Sequence, residues 1–482
     1  MKQRQQQSQV QSATATGDYR HRPDRRNMLY NFGNGVGALA LTSLLQRDGV
    51  IRADDTGVLS PRSGHLPGKA KSCIFLFMSG APSQMDTFDP KPELNRLHGQ
   101  PVTRIYGSLV KRLYVACPFT FQKHGESGIE VSNIFPRLAK CVDDMAIIRS
   151  LHTSVESHTT ATFFMNTGMP IPGSPSVGSW VAYGLGSENE NLPGFVVLPD
   201  TSGGVFGGAM NWSNAYLPTE CQGTLLNPVG PAIVDLQPEG IGRQRQYNNL
   251  RMLNTLNEKT LHLNPRNQDL IGRMRQYELA FRMQSSVPDA LDVAQESQQT
   301  QELYGLDSPV TDEMGRKCLM ARRMVERGVR FIQIYCNGWD SHENIASNHR
   351  RCAERTDVPM AGLLTDLRQR GLLDDTLVVW GGEFGRTADN SMNFFRTSPG
   401  RDHNKRAMIA WMAGGGVKGG TVVGGTDELG INAVDNTYHT HDLHATILHQ
   451  MGLDDMELTF YHAGRFKRLT DLGGQVITEA LA

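Results

Sequence analysis

Apolar residues fall into short unbroken runs along the chain: "SCIFLFMSG" (72–80), "MAIIRSLHT" (145–153), "GFVVLPD" (194–200), "VRFIQIYCNG" (329–338), "TLVVWGGEFG" (376–385) and "AMIAWMAGGG" (407–416). Strands apolar throughout, without alternation, are what a parallel sheet covered on both faces requires. Between them the period lengthens to that of amphipathic helices. The stretch from "ELYGLDSP" to "MVERG" ends in a helix, "DVPMAGLLTDLRQRGLLDD" has a basic C-terminal turn, and "THDLHATILHQMG" stops on glycine. The pattern predicts an α/β fold, a doubly wound and mostly parallel sheet with helices on both faces. Residues 243–300 depart from it. They are rich in Arg, Gln and Asn, keep a helical period and offer no strand, so they are expected as an inserted helical hairpin. Residues 200–232, with "TSGGVFGGAMNWSNAYLP", read as a long Gly/Asn loop, and long ordered loops often serve function.

In an open α/β sheet, ligands bind outside the carboxyl ends of the strands. Those ends are where this sequence concentrates its polar chemistry. The first run is followed by Ser79, Ser83, Asp86 and Asp89, and the second by His152, Glu156, Ser157, His158 and Thr159. The run at 329–338 leads into Asp340 and His342, the next delivers Glu383 and Arg386, and Asp402 and His403 stand just before the last. Carboxylates and imidazoles converging from such distant segments suit zinc, manganese or magnesium, and a bound divalent ion activates water or polarises a phosphoryl or sulfuryl oxygen. Arg386, with Lys405 or Arg406, would neutralise charge developing on an anionic substrate. Each residue also has a plainer role open to it. Asp340 suits an Asn-Gly turn, Glu383 could hold Arg386 in a buried ion pair, His403 could simply pair with Asp402, and Asp86 and Asp89 could be structural acids of a proline-rich loop. In "HTHDLHATILHQ" only His439 or His441 is a site candidate, because His441, His444 and His449 cannot all face one ligand.

Composition narrows the partners. The 482 residues carry a formal charge of -1 with both signs nearly balanced, so no global field favours nucleic acid or an anionic membrane. Small-molecule or glycan chemistry fits better. Seven cysteines without a CxxC pair read as buried small hydrophobes. "GAPSQMD" after the first strand is neither GxGxxG nor a P-loop, which weakens a nucleotide-dependent reading. At the N-terminus, Arg25-Arg26 precede a mildly apolar Gly/Ala stretch, the layout of a twin-arginine export signal, retained as an anchor or removed. The expected organisation is a signal and polar tail at 1–50, a linker at 51–70, and one α/β domain at 71–482 with its helical insertion at 243–300. Export places the protein in the periplasm or at the cell surface.

Together, "SGAPSQMDTFDPKPEL", "GWDSHEN", "GGEFGRT", "GRDHNKRAMIAWMAGGG" and "HTHDLHATILHQMG" behind a twin-arginine leader resemble a bacterial exported family of unknown function usually labelled sulfatase-like, within the alkaline phosphatase superfamily. The resemblance runs from about residue 20 to the end. It implies an alkaline-phosphatase-like sheet and a metal-dependent hydrolase of phosphate or sulfate esters, acting on an anionic small molecule or a polysaccharide. It also implies a divalent ion, zinc, manganese or calcium, with Asp340, His342, Glu383, His403, Asp86 and His441 as ligand candidates. His158 or Thr159 falls near the attacking position. The pattern departs from the superfamily at Ser79, where an Asp is expected, and at Phe384, where an imidazole is expected. No Cys/Ser-x-Pro-x-Arg stretch exists, which argues against a formylglycine sulfatase. The alternative is an exported binding or structural protein on a catalytically lapsed scaffold.

Overall fold

The computed structural model describes residues 58–102, 112–233, 236, 240–264, 267–390 and 399–482. The expected leader and residues 51–57 lie outside the described residues. Nine strands form one sheet: β1 (Ser72–Met78), β2 (Met145–His152), β3 (Phe195–Leu198), β4 (Thr224–Leu225), β5 (Phe331–Cys336), β6 (Thr376–Gly381), β7 (Met408–Ala413), β8 (Thr421–Val423) and β9 (Tyr438–His439). Their order is β8-β2-β7-β6-β1-β5-β3-β4, with β9 also paired to β2. All six apolar runs are strands. Every ladder is parallel except those of β7, which runs antiparallel to both β2 and β6.

Pleating sorts the apolar runs into two cores. Ile74, Leu76 and Met78 of β1 face one side with Ile332, Ile334, Val378 and Trp380. They pack on α4 (Gln268–Leu291), α5 (Asp312–Val325) and α6 (Ile345–Gln369) through residues such as Val287, Leu319 and Leu363. Cys73, Phe75 and Phe77 face the other side and meet Trp180 of α2 (Val177–Leu185) and Ile447 of α7 (Thr440–Gln450). Both alternating sets of β1 are therefore buried, and burying one such side chain contributes about 2 kcal/mol. The mixed α/β architecture with a mostly parallel sheet between helix layers is that of the sequence pattern. α3 (Arg243–Leu263) and α4 form the hairpin at 243–291. Residues 58–70, expected as linker, instead belong to the same unit as the sheet, which begins at Val58. The Arg62 N–H donates to Leu185 O and the Leu66 N–H to Gly452 O. Among the described residues no helix is long and apolar enough to cross a membrane.

The carboxyl ends of β1, β5 and β6 lie side by side, with Phe77 opposite both Tyr335 and Gly381. Because β7 is reversed, its first residue Met408 sits against Leu151 at the end of β2, so the segment leading into β7 reaches the same rim. There His403 and Asn404 pair antiparallel with Arg386 and Gly385. Gly80, at φ +108°, allows the closest approach: a Cβ there would stand 2.3 Å from the backbone nitrogen of Asp340. Gly80→Ala is expected to destabilise the protein by about 2 kcal/mol, through strain at positive φ and the forced separation of two loops. Denaturant unfolding checks this. A loss below about 0.5 kcal/mol would show that the loops part easily.

Candidate functional site

The loop after β1, the loop after β5 and the segment Glu383–Arg386 meet at this rim. The Trp339 N–H donates to Ser79 O, and the Arg401 N–H to Ser341 O. Below them, α1 (His158–Thr167) starts beside the end of β2 and presents His158 from its first turn. His158, Asp340, His342 and His403 bring four possible ligand atoms within 4.8 Å of one another, the one such group among the described residues. This cluster could bind a metal ion.

The outer nitrogen of each ring is engaged by oxygen. His158 Nδ1 lies 2.6 Å from Glu383 Oε1. His403 Nδ1 is 2.7 Å from the backbone oxygen of Glu156, and His342 Nδ1 is 3.5 Å from Asp402 Oδ1. A carbonyl or carboxylate cannot donate, so the contacts of His158 and His403 place protons on their Nδ1 atoms, and all three Nε2 atoms face the cluster. His342 Nε2 and His403 Nε2 stand 2.9 Å apart. At that separation one of the two nitrogens carries the proton of a hydrogen bond in the metal-free protein, and a cation would take that proton's place. Two imidazole nitrogens on one metal at about 2.1 Å each would be roughly 3.4 Å apart in tetrahedral geometry. The buried His158 Nε2 has no hydrogen-bond partner; Asp340 Oδ2 faces it at 3.3 Å without hydrogen-bond alignment. The donor set and this orphaned atom both fit a divalent ion.

Asp340 carries the charge of the site. Its Oδ1 is 2.6 Å from Arg386 Nη2 and 3.3 Å from His342 Nε2. Burial works against its charge, but His158, His403 and Arg386 outweigh it and hold the carboxyl far below the usual range. Burial likewise opposes protonation of His158, yet Asp340 and Glu383 lift that imidazole to about 9. At His342 burial prevails and the pKa is lowered.

Several expected roles change. Glu383, expected as a ligand, is fully buried behind His158; both its oxygens accept from the Gly80 N–H, at 2.9 and 3.2 Å, and Oε1 also faces His158. His158, expected near the attacking position, instead stands among the ligand candidates. Thr159 is exposed on the first turn of α1. Arg386, expected to face substrate, is fully buried, and Asp340 and the carbonyl oxygens of Gly80, Ala81 and Arg401 occupy its guanidinium. Asp86 is not in the cluster. It makes a buried two-pronged ion pair with Arg401, at 2.6 and 3.1 Å, and takes a bond from Ser83. His441 also lies apart: its Nε2 is 2.8 Å from Gly168 O, and its ring neighbours Phe164, His439 and His444. Asp340, His342 and His403 do come together. Phe384, where the superfamily pattern has an imidazole, packs its ring against His158 at 4.9 Å and His403 at 4.5 Å.

Sequence reasoning passed over Phe206. Its ring stacks on His158 at 4.6 Å and 14°. Only the long glycine-rich loop hinted at it.

The family model described as "Protein of unknown function (DUF1501)" matches residues 70–481. No curated protein matches the chain. Among solved structures the chain is similar to the PsFucS1 sulfatase from Pseudoalteromonas sp., at 13% identity and a TM-score of 0.35, covering 88% of this chain and 72% of that one. It is also similar to alkaline phosphatase from the Antarctic bacterium TAB5, at 10% identity and a TM-score of 0.34, covering 80% and 99%. A third is the lipoteichoic acid synthase LtaP from Listeria monocytogenes, at 10% and 0.34, covering 82% and 76%. At these scores the likenesses carry nothing about chemistry.

The His158–Asp340 contact sets a pH dependence for the metal-free protein. The folded pKa of His158, about 9, is above the unfolded value of 6.5. Its contribution, of the order of 3 kcal/mol, is therefore full below about pH 6.5 and lost as pH rises through 9. The depressed Asp340 contributes above its unfolded value, near 4, and loses that in acid. Unfolding free energy of the chelated protein should fall between pH 7 and 9.5, and His158→Gln should remove most of that slope. An unchanged slope in the variant would show that His158 is not the titrating group.

Proposed function

The chain belongs to the DUF1501 family, and from the geometry of its rim we propose that it is a metal-dependent hydrolase of phosphate or sulfate esters. The observation that carries this reading is the inward convergence of three imidazole Nε2 atoms on one carboxylate, with each Nδ1 engaged by an oxygen. His158, His342, His403 and Asp340 would hold one divalent ion. An imidazole-rich set suits zinc or manganese and does not suit calcium, which takes oxygen ligands. When bound, the ion supplies Lewis-acid polarisation of the ester oxygen and a lowered pKa for water.

The chain's own residues do the rest. Glu383 orients His158, the Glu156 carbonyl orients His403, and Asp402 orients His342. Arg386 fixes Asp340 while staying out of the substrate's reach. The first turn of α1 has no side-chain cap from Ser157, and a helix N-terminus of this kind favours an anion. Thr159, exposed on that turn, is placed to contact the anionic group. We assign the substrate to the anionic small-molecule or polysaccharide esters and the location to the periplasm or cell surface. The Arg25-Arg26 leader supports export by the twin-arginine route.

One observation favours a second reading, a binding protein on a lapsed scaffold. Phe384 fills with hydrocarbon the place where a second ion's imidazole would stand. Elemental analysis with a screen of aryl phosphates and aryl sulfates separates the two. About one zinc or manganese per chain, reduced to near zero in Asp340→Ala and His403→Ala, with turnover of one ester class, is the expected result. Bound metal without turnover would favour the second reading, and a metal-free protein unaffected by chelator would end the first. Glu383→Gln should weaken metal affinity about 10- to 100-fold, because the amide reorients His158. Affinity should climb about tenfold per pH unit from 7 to 9, as each bound ion displaces the His158 proton. Competition titrations with a chelator measure both, and a pH-independent affinity would remove His158 from the ligand set.

A further inference from the structure

Phe206 is held by parts that a surface phenyl does not need. Its carbonyl accepts from Asn211 Nδ2 at 2.8 Å, and the same nitrogen reaches Gly208 O at 2.9 Å. Asn211 Oδ1 takes a bond from Asn166 of α1, and Asn166 Oδ1 takes one from Gln333 of β5, at 3.2 and 3.1 Å. All three amides are almost wholly buried, at 1%, 1% and 3% exposure. Gln333 is a polar residue set in an apolar strand. The chain of amides therefore runs from the sheet to the loop that carries Phe206. Gly207, at φ +84°, completes the placement, since a Cβ there would press within 2.5 Å of the Phe163 ring. Asn337 Nδ2 pins the same loop at Gly203 O.

The result is a ring that lies flat on the imidazole of His158 yet remains 38% exposed. One face is committed to His158, whose Nε2 belongs to the ligand cluster, and the rest opens to solvent beside that cluster. Burying three amides to fix a phenyl that stays partly in water makes little sense for stability alone. We propose that Phe206 is a specificity-determining wall of the site, selecting esters whose alcohol carries a flat ring rich in C–H, aryl or pyranose. This rests on the ester-hydrolase reading: the anionic group sits at the cation and the ring of the leaving group lies against Phe206. Contacts between flat rings prefer offset or edge-on packing and add to the apolar area removed from water.

The test is calorimetric binding to the zinc-saturated full chain of two matched pairs, phenylphosphonate against methylphosphonate and benzenesulfonate against methanesulfonate. In at least one pair the ring compound should bind about tenfold tighter or more, and in Phe206→Ala that ratio should fall to about one to two. Affinity for the methyl compound should change less than about threefold. Phe206→Trp should keep the preference, and melting curves of both variants check the fold. A preference that survives in Phe206→Ala, or methyl compounds binding as tightly as ring compounds to the wild type, overturns this proposal and leaves the ester reading standing. Binding of no compound from either pair overturns the ester reading and this proposal with it.

Discussion

Three imidazoles whose Nδ1 atoms face oxygen turn their Nε2 atoms toward one another. The approach of His342 and His403 to 2.9 Å needs a proton or a cation between the two rings, and Asp340 adds negative charge to the same space. In the metal-free protein burial opposes charge on His158, and Asp340 and Glu383 outweigh it and keep the ring protonated, which explains its raised pKa. A divalent ion would displace protons from this cluster and put two positive charges beside Asp340. The outer acceptors set the orientation: Glu383 is buried behind His158, takes the Gly80 N–H on both oxygens and faces His158 Nδ1, so in this structure it aims His158 and stands outside the cluster. The fold behind the rim serves to hold those acceptors still.

That service depends on one reversed strand. In a wholly parallel sheet the segment before a strand lies at the amino rim, away from the other carboxyl ends. The antiparallel β7 brings its leading segment to the carboxyl rim, where His403 forms a short ladder with Arg386. Arg386 then joins Asp340 to the backbone of Gly80, Ala81 and Arg401. Beneath, the Asp86–Arg401 pair is sealed from water. Breaking one side of such a pair costs about 3–5 kcal/mol, so the pair anchors the segment that leads to His403.

The strands were legible because β1, β2, β3, β5, β6 and β7 are buried on both faces, and that requirement writes itself as unbroken apolar runs. β4, β8 and β9 have two or three residues each and left no pattern. At the site, Asp340 and His342 were legible because they follow the carboxyl end of a strand, where the rim rule applies, whereas His403 precedes its strand and reaches that rim only because β7 is reversed. Roles were harder to read. Glu383 and His158 are both polar, both at the rim and 225 positions apart, and only their contact shows which faces the cluster and which stands behind. Asp86 and Arg386 misled because a buried ion pair and a ligand set use the same residue types. Phe206 was hidden for another reason: an exposed phenyl in a glycine-rich loop has no sequence signature, and its meaning lies in three amides drawn from β5, α1 and the loop itself.

Where the arginine goes constrains what chemistry remains. The Arg386 guanidinium is fully buried and gives four of its five N–H groups to carbonyls and Asp340, so it does not face the open side of the site where a sulfuryl or phosphoryl group would lie. Phe384 excludes a further imidazole from the same wall, which leaves room in this reading for one ion. In the ester-hydrolase reading, stabilisation of the anion would come from that ion together with the amides at the start of α1. Phe206 stacks on His158, the first residue of α1 and a member of the cluster. A site with one cation and few charged side chains binds its anion weakly by charge alone, and such a site gains most from apolar contact with the remainder of the substrate. The exposed ring beside His158 is where that contact is available.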